Sequence, residues 1–205
     1  LVSNFEHETK TGLKAEAKIY DLNLNEKFSK QTDLSIKPDE VKSVFIIPKI
    51  DDLTNTYFLK LNIYGKNNQI ISDNFYWLST KPDLLDFPKT NWWITPIKEY
   101  ADLSGLKKLP QTEIKATKQF SDKGDKTEFA VKIENPSKNI AFCLEIAILK
   151  EKEDTSILPV FMDDNYISLL PGESRTIKGY YFSKDAKNEK PRVRVIGWNT
   201  KEIMN

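Results

Sequence analysis

LPVFMDDNYISLLPGESRT, residues 158–176, is the stretch that decides the architecture. It reads as an apolar strand, an Asp-Asp-Asn turn, a second apolar strand and a Pro-Gly-Glu-Ser turn. Asp and Asn cap local backbone groups, Pro presets one turn dihedral and Gly supplies another, so such clusters reverse the chain. Two short apolar runs separated in this way are the signature of antiparallel sheet.

The same grammar runs outward in both directions. Leu13, Ala15, Ala17 and Ile19 alternate with Lys14, Glu16, Lys18 and Tyr20. Tyr57, Leu59, Leu61 and Ile63 alternate with Phe58, Lys60, Asn62 and Tyr64. Phe129, Val131 and Ile133 do so downstream, as do Phe142, Leu144, Ile146 and Ile148, and then Val193 and Val195. Period two means one buried face and one wet face. Asn67-Asn68, Gly124-Asp125, Pro171-Gly172 and residues 184–190 supply the reversals. About five to seven strands in each half is the number of an immunoglobulin-like sandwich. The expected fold is all-β: two tandem immunoglobulin-like antiparallel β-sandwiches.

The one helix-like segment is EYADLSGLKKL, residues 99–109. Tyr100, Leu103, Leu106 and Leu109 recur every three residues, which predicts a short helix or 3₁₀ turn packed on one side. Residues 80–96 carry Pro82, Pro88 and Pro96 without alternation and read as a long connection. The domains are therefore expected at 1–109 and 110–205. SDNFYWLS (72–79) echoes DDNYISLL (163–170), which points to two related folds.

The totals narrow the function. Lys plus Arg number 31 against 30 Asp plus Glu, a net charge of +1 that offers no long-range field to nucleic acid or an acidic membrane. No apolar run approaches the roughly 20 residues of a membrane helix. A single cysteine, Cys143, cannot form an internal disulfide. With a single histidine, His7, it cannot complete a zinc tetrahedron without other ligands. Neither has a nucleophile–base partner in sequence. The seven glycines form no phosphate loop. The chain as given is expected to bind no cofactor or metal.

Asp51-Asp52 and Asp163-Asp164 are the carboxylate doublets. Adjacent strand residues point to opposite faces, whereas a glycosidase needs two carboxyls facing each other about 5–10 Å apart. Both doublets, with Asn165, read as turns. Trp92-Trp93 lies in the irregular connection and reads either as an interdomain plug or as a stacking platform for a sugar or partner. Trp77 and Trp198 end apparent strands and are expected in the cores. Lys107-Lys108 and Arg192-Val193-Arg194 read as solvated faces.

Taken together, three sets of segments resemble one family. SDNFYWLS (72–79) followed by TPIKEYADLSGLKKLP (95–110) is similar to the region after the barrel in glycoside hydrolase family 2, in the branch of exo-β-D-glucosaminidases and mannosylglycoprotein endo-β-mannosidases, related to β-mannosidases. IENPSKNIAFCLEIAIL (133–149), LPVFMDDNYISLLPGESRTI (158–177) and VRVIGWN (193–199) resemble that group's terminal immunoglobulin-like domain. The resemblance implies a retaining, exo-acting parent enzyme on β-linked glucosamine or mannose. It places that enzyme's two catalytic glutamates on a (β/α)₈ barrel with no counterpart here, so the chain as given is expected to be catalytically inert.

The resemblance further implies that the chain's partner is the catalytic barrel of the same polypeptide, with β-linked amino-sugar or mannose glycans as further ligands. It implies a bacterial periplasmic or extracellular setting. The Asp163-Asp164-Asn165-Tyr166 turn and the Trp92-Trp93 connection are then expected to face the missing domains. Two other readings remain: a stand-alone carbohydrate-binding module, with an exposed aromatic row, and an adhesive or structural sandwich of a surface protein. EYADLSGLKKLP favours the glycosidase, because a generic linker has no reason to carry it.

Overall fold

The period-two runs become strands wherever the sequence places them. The computed structural model describes all residues, 1–205, and they divide into two compact units, Leu1–Lys108 and Leu109–Asn205.

The first unit holds β1 (Val2–Ser3), β2 (Lys10–Asp21), β3 (Glu26–Ile36), β4 (Val41–Lys42), β5 (Thr56–Tyr64), β6 (Ile70–Ser79), β7 (Leu84–Leu85) and β8 (Ile97–Glu99). Its main sheet has the order β3-β2-β5-β6, with every neighbouring pair antiparallel. Leu13, Ala15, Ala17 and Ile19 are all buried on one face of β2. The register sets Ala15, Ala17 and Ile19 beside Ile63, Leu61 and Leu59 of β5. Leu13, Ala15, Leu34 and Ile36 form a core against Val2, Val44 and Ile63. On the opposite face Phe58 is fully buried, its ring 5.5 Å from that of Phe75. β1 pairs with β4, and β7 with β8.

The 99–109 segment forms a 3₁₀ turn at Ser104–Lys108 that buries Leu106. Leu109 is also buried, but Tyr100 lies outside the turn and is exposed, contrary to the packed stripe expected of it. The 80–96 connection is more ordered than its composition implied. It contains β7 and a 3₁₀ turn at Phe87–Lys89, and returns through β8.

The second unit is a complete two-sheet sandwich. Its strands are β9 (Lys115–Asp122), β10 (Lys126–Glu134), β11 (Ala141–Lys150), β12 (Val160–Met162), β13 (Ile167–Leu169), β14 (Ser174–Phe182), β15 (Pro191–Ile196) and β16 (Ile203–Met204). One sheet runs β12-β14-β10-β9 and the other β13-β11-β15-β16. Phe129, Val131, Ile133 and Ile177 from the first meet Leu144, Ile146, Ile148, Val193 and Val195 from the second. This is the interdigitated core of an immunoglobulin-like sandwich.

A repeated corner links the two units' designs. Residues 37–40 (KPDE) and 170–173 (LPGE) turn in the same way. The Lys37 N–H donates to the Glu40 carboxylate at 2.7 Å, and the Leu170 N–H donates to that of Glu173 at 2.9 Å. Asp39 and Gly172, the third residues, both have positive φ, 53° and 78°. Asn4 donates its backbone N–H to the Glu40 carbonyl at 3.0 Å, and Asn135 does the same to Glu173 at 2.9 Å. Each Asn side chain also donates to the carbonyl four residues on, Glu8 and Asn139, and accepts from the N–H two residues on, Glu6 and Ser137. The 72–79 and 163–170 echo read from sequence falls instead on non-equivalent elements, β6 in one unit and the turn into β13 in the other.

Candidate functional site

The Trp92-Trp93 pair sits at the tip of the ribbon formed by β7 and β8 in the first unit. An Asn91 side-chain turn holds it there. Asn91 Oδ1 accepts from the Trp93 N–H at 2.8 Å and the Ile94 N–H at 3.1 Å, and the Asn91 N–H donates to the Ile94 carbonyl at 3.0 Å. Below the tip, the Asp86 N–H donates to the Pro96 carbonyl at 2.8 Å. Backbone order is thus built locally while the side chains point outward. Trp92 is 91% exposed and Trp93 84%. Leu84, Leu85, Phe87 and Ile94 are exposed on the same ribbon. Neither tryptophan plugs a core of its own unit.

The core placement expected for the other two tryptophans is overturned. Trp77 lies on the edge strand β6, where no neighbouring strand covers its flank, and is 40% exposed. Trp198 falls in the turn after β15, beyond the sheet, and is 58% exposed.

In the second unit the 163–166 turn carries the chain from one sheet to the other. The Asp163 N–H donates to the Lys178 carbonyl, and its Oδ1 accepts from the Lys178 N–H, both at 2.9 Å, which extends the β12–β14 pairing. Asn165 addresses the opposite sheet. Its Oδ1 accepts from the Ile146 N–H at 2.8 Å, and its Nδ2 donates to the Ile146 carbonyl at 3.0 Å. Asp164 Oδ1 accepts from the Asn165 N–H at 2.7 Å, and its other oxygen pairs with Arg175 at 2.8 Å. Tyr166 takes the left-handed conformation, φ 55°, and is exposed. Three of the four side chains are therefore engaged in sheet switching, and Tyr166 alone faces outward.

The chemical inventory is otherwise quiet. No three His, Cys, Asp or Glu side chains stand close enough to hold a metal ion. Cys143 sits at a bulge in β11, with φ 52° and a register shift between Ala141 and Leu144. Burial pushes its thiol above the ordinary range, and the nearby Glu145 charge adds to this, so the reactive thiolate is disfavoured. Asp51 and Asp52 form surface ion pairs with Lys49 and Lys27 at 2.8 and 2.6 Å.

One feature escaped the sequence analysis. On the β12-β14-β10-β9 sheet the Phe161 and Tyr180 rings stack at 4.9 Å, and Phe182 meets both edge-on. The Lys126 ammonium lies 4.2 Å from the centre of the Tyr180 ring. The alternation of Lys178, Tyr180 and Phe182 against buried Ile177 and Tyr181 was the signal that could have placed this cluster on the outer face.

Comparison with known proteins places these features in a family. The exo-beta-D-glucosaminidase Ig-fold domain family matches residues 92–200. An exo-beta-D-glucosaminidase of Amycolatopsis orientalis is 36% identical over 195 residues, covering 93% of this chain and 19% of that protein. One of Streptomyces avermitilis is 33% identical, covering 94% of this chain and 22% of that protein. The chain thus spans about a fifth of the length of these relatives. The crystal structure of the exo-chitosanase of Amycolatopsis orientalis matches all of this chain and 24% of its own, with a TM-score of 0.94 at 34% identity. A β-D-mannosidase of Dictyoglomus thermophilum shares the fold, at a TM-score of 0.54 and 14% identity. With more than half of its length matched, this chain belongs to the exo-β-D-glucosaminidase Ig-fold domain family.

Proposed function

We propose that this chain is the non-catalytic C-terminal region of a glycoside hydrolase family 2 exo-glycosidase. Its substrate class is β-linked glucosamine or a mannose-type β-glycoside, and the enzyme retains anomeric configuration. The chain's task is architectural: it buttresses the catalytic barrel and shapes the rim of its pocket. The observation that carries this reading is the ribbon tip. A soluble monomer rarely presents several large apolar side chains together, and a rimmed apolar patch of this kind marks an interaction surface. Here Trp92, Trp93, Ile94 and Phe87 project from a backbone that is held without them. Burying a tryptophan stabilises a contact by roughly a few kcal/mol before ordering costs. The barrel of the same polypeptide is the partner that family membership supplies, and Tyr166 is a second contact candidate.

A second reading rests on the same exposure. An upright indole also stacks on the apolar face of a pyranose, so Trp92 or Trp93 can form part of a glycan path at the pocket rim. The setting that fits a polysaccharide-degrading bacterial enzyme is the periplasm or the exterior.

The test is the size of the native polypeptide, read by immunoblot with an antibody to this chain. Shares of 19% and 22% in the relatives predict a band about five times the chain's own 23.7 kDa. A band at 23.7 kDa removes the room for a barrel and sinks the proposal.

A further inference from the structure

The outer face of the β12-β14-β10-β9 sheet carries more than its stacked rings. Alternate residues of each strand share that face, and the strand register sets them in rows. One row runs Phe161, Tyr180, Glu128 and Ser121, each the cross-strand neighbour of the next. The row beside it runs Lys178, Ala130 and Gln119. Ala130 stops at its Cβ between two long side chains, so the surface dips there. A trough of about 860 Å³ lies over the dip, lined by both rows and by Asp163.

The two sides of the trough differ in chemistry. On the β12–β14 side the wall is apolar and already ordered. The Phe161 and Tyr180 rings lie 18° from parallel, and Phe182 braces both edge-on. Phe161 is nonetheless 45% exposed. An aromatic surface held by its own neighbours loses little freedom when a ligand settles on it. On the β10–β9 side the wall is polar. Glu128, Ser121 and Gln119 are exposed there, and Lys178 is exposed on β14. Together they offer a carboxylate acceptor, a hydroxyl, an amide that both donates and accepts, and an ammonium donor.

This mixture selects among occupants. The core of a protein interface is depleted of charge. Here Glu128 stands directly across from Tyr180, and the Lys126 ammonium lies over the same ring, so the aromatic centre is not free of charge. A polyion of either sign is disfavoured as well, because Lys126 and Lys178 are balanced by Glu128 and Asp163. The remaining fit is an uncharged molecule with apolar C–H faces and many hydroxyls that both donate and accept. A pyranose has that chemistry. Four strands at their usual spacing span about 14 Å, which leaves room for more than one ring.

We propose that the trough binds an uncharged oligosaccharide. Its pyranose C–H faces rest against the Phe161–Tyr180 pair, and its hydroxyls bond to Glu128, Gln119 and Lys178. The site is built wholly within the second unit, Leu109–Asn205, and needs neither tryptophan of the ribbon tip. It adds a glycan-holding task to the architectural one.

The test is titration of the full 205-residue chain with two uncharged probes, β-linked mannohexaose and N-acetylchitohexaose, read by calorimetry and by amide NMR shifts. The cationic hexamer of glucosamine is the comparison ligand. The expected result is saturable binding of at least one uncharged probe, with shifts gathered at residues 119–121, 128–130 and 178–180. Glu128→Ala removes the carboxylate acceptor, and Ala130→Arg fills the floor. Each should weaken binding at least about tenfold while the melting temperature holds. Absence of heat and shifts with both uncharged probes overturns the site. Shifts centred on Trp92 and Trp93, binding unchanged in both variants, or binding of the glucosamine hexamer alone overturn it as well.

Discussion

The side chain of Asn165 pairs with the backbone of Ile146 as a neighbouring strand would, accepting from its N–H at 2.8 Å and donating to its carbonyl at 3.0 Å. The bond pair closes the flank of β11 just beyond the Cys143 bulge, where β13 has not yet begun to pair. Asn165→Ala removes both bonds and leaves two backbone groups of a core strand without protein partners. We expect a loss of about 2–3 kcal/mol in the second unit. Urea unfolding followed by fluorescence reads this unit alone once Trp77, Trp92 and Trp93 of the first unit are replaced by Phe in both proteins compared, leaving Trp198 as the one indole. A loss below about 0.5 kcal/mol contradicts this account of the turn.

Gly179 is fixed by crowding. A Cβ there would lie 2.2 Å from the Phe161 carbonyl oxygen and 2.6 Å from the Phe129 ring. The first contact is backbone and cannot swing away. Gly179→Ala should cost at least about 2 kcal/mol and separate β12 from β14. Thermal unfolding measures the cost, and hydrogen exchange at Val160–Met162 reports the separation.

The acid limb of stability should carry the mark of Asp21. Burial alone would raise its carboxyl. The hydrogen bonds from the Asn25 side chain and from the Asn25 and Asn23 backbone, with the Lys27 charge, outweigh burial and hold it below its ordinary value. A carboxyl lowered on folding contributes stability that is full above the unfolded value of about 3.9 and is lost as pH falls through the lower folded value. Asp21→Asn should therefore be less stable than the parent at pH 7 and flatten the stability–pH curve below about pH 4. An unchanged slope there refutes the assignment.

Trp92→Ala and Trp93→Ala should separate folding from assembly. Both side chains lie almost wholly outside the first unit, so each single variant should keep the isolated chain's stability within about 0.5 kcal/mol. In the whole enzyme the double variant should lower glycosidase activity or melting temperature. A double variant indistinguishable from the parent in both would remove the ribbon tip from the proposed interface.

Much of this was legible before the coordinates. Period two located β2, β5, β10, β11 and β15, because a half-buried sheet imposes that pattern directly. Exposure was less legible. Trp77 resembles any strand-terminal core aromatic until the strand order shows that β6 is an edge. The repeated corner also stayed hidden, since Asp39 and Gly172 share no side chain. What they share is a positive φ that Gly adopts freely and Asp tolerates. The sheet-switching roles of Asp163 and Asn165 depend on strands distant in sequence, and no local motif encodes them.

The most direct test is hydrolysis of p-nitrophenyl β-D-glucosaminide and β-D-mannoside by two preparations, the whole native polypeptide and this 205-residue chain alone. The account predicts release of p-nitrophenol from one of the two substrates by the whole polypeptide, and none from either by the chain. Hydrolysis by the chain alone, or an inert whole polypeptide, would contradict it.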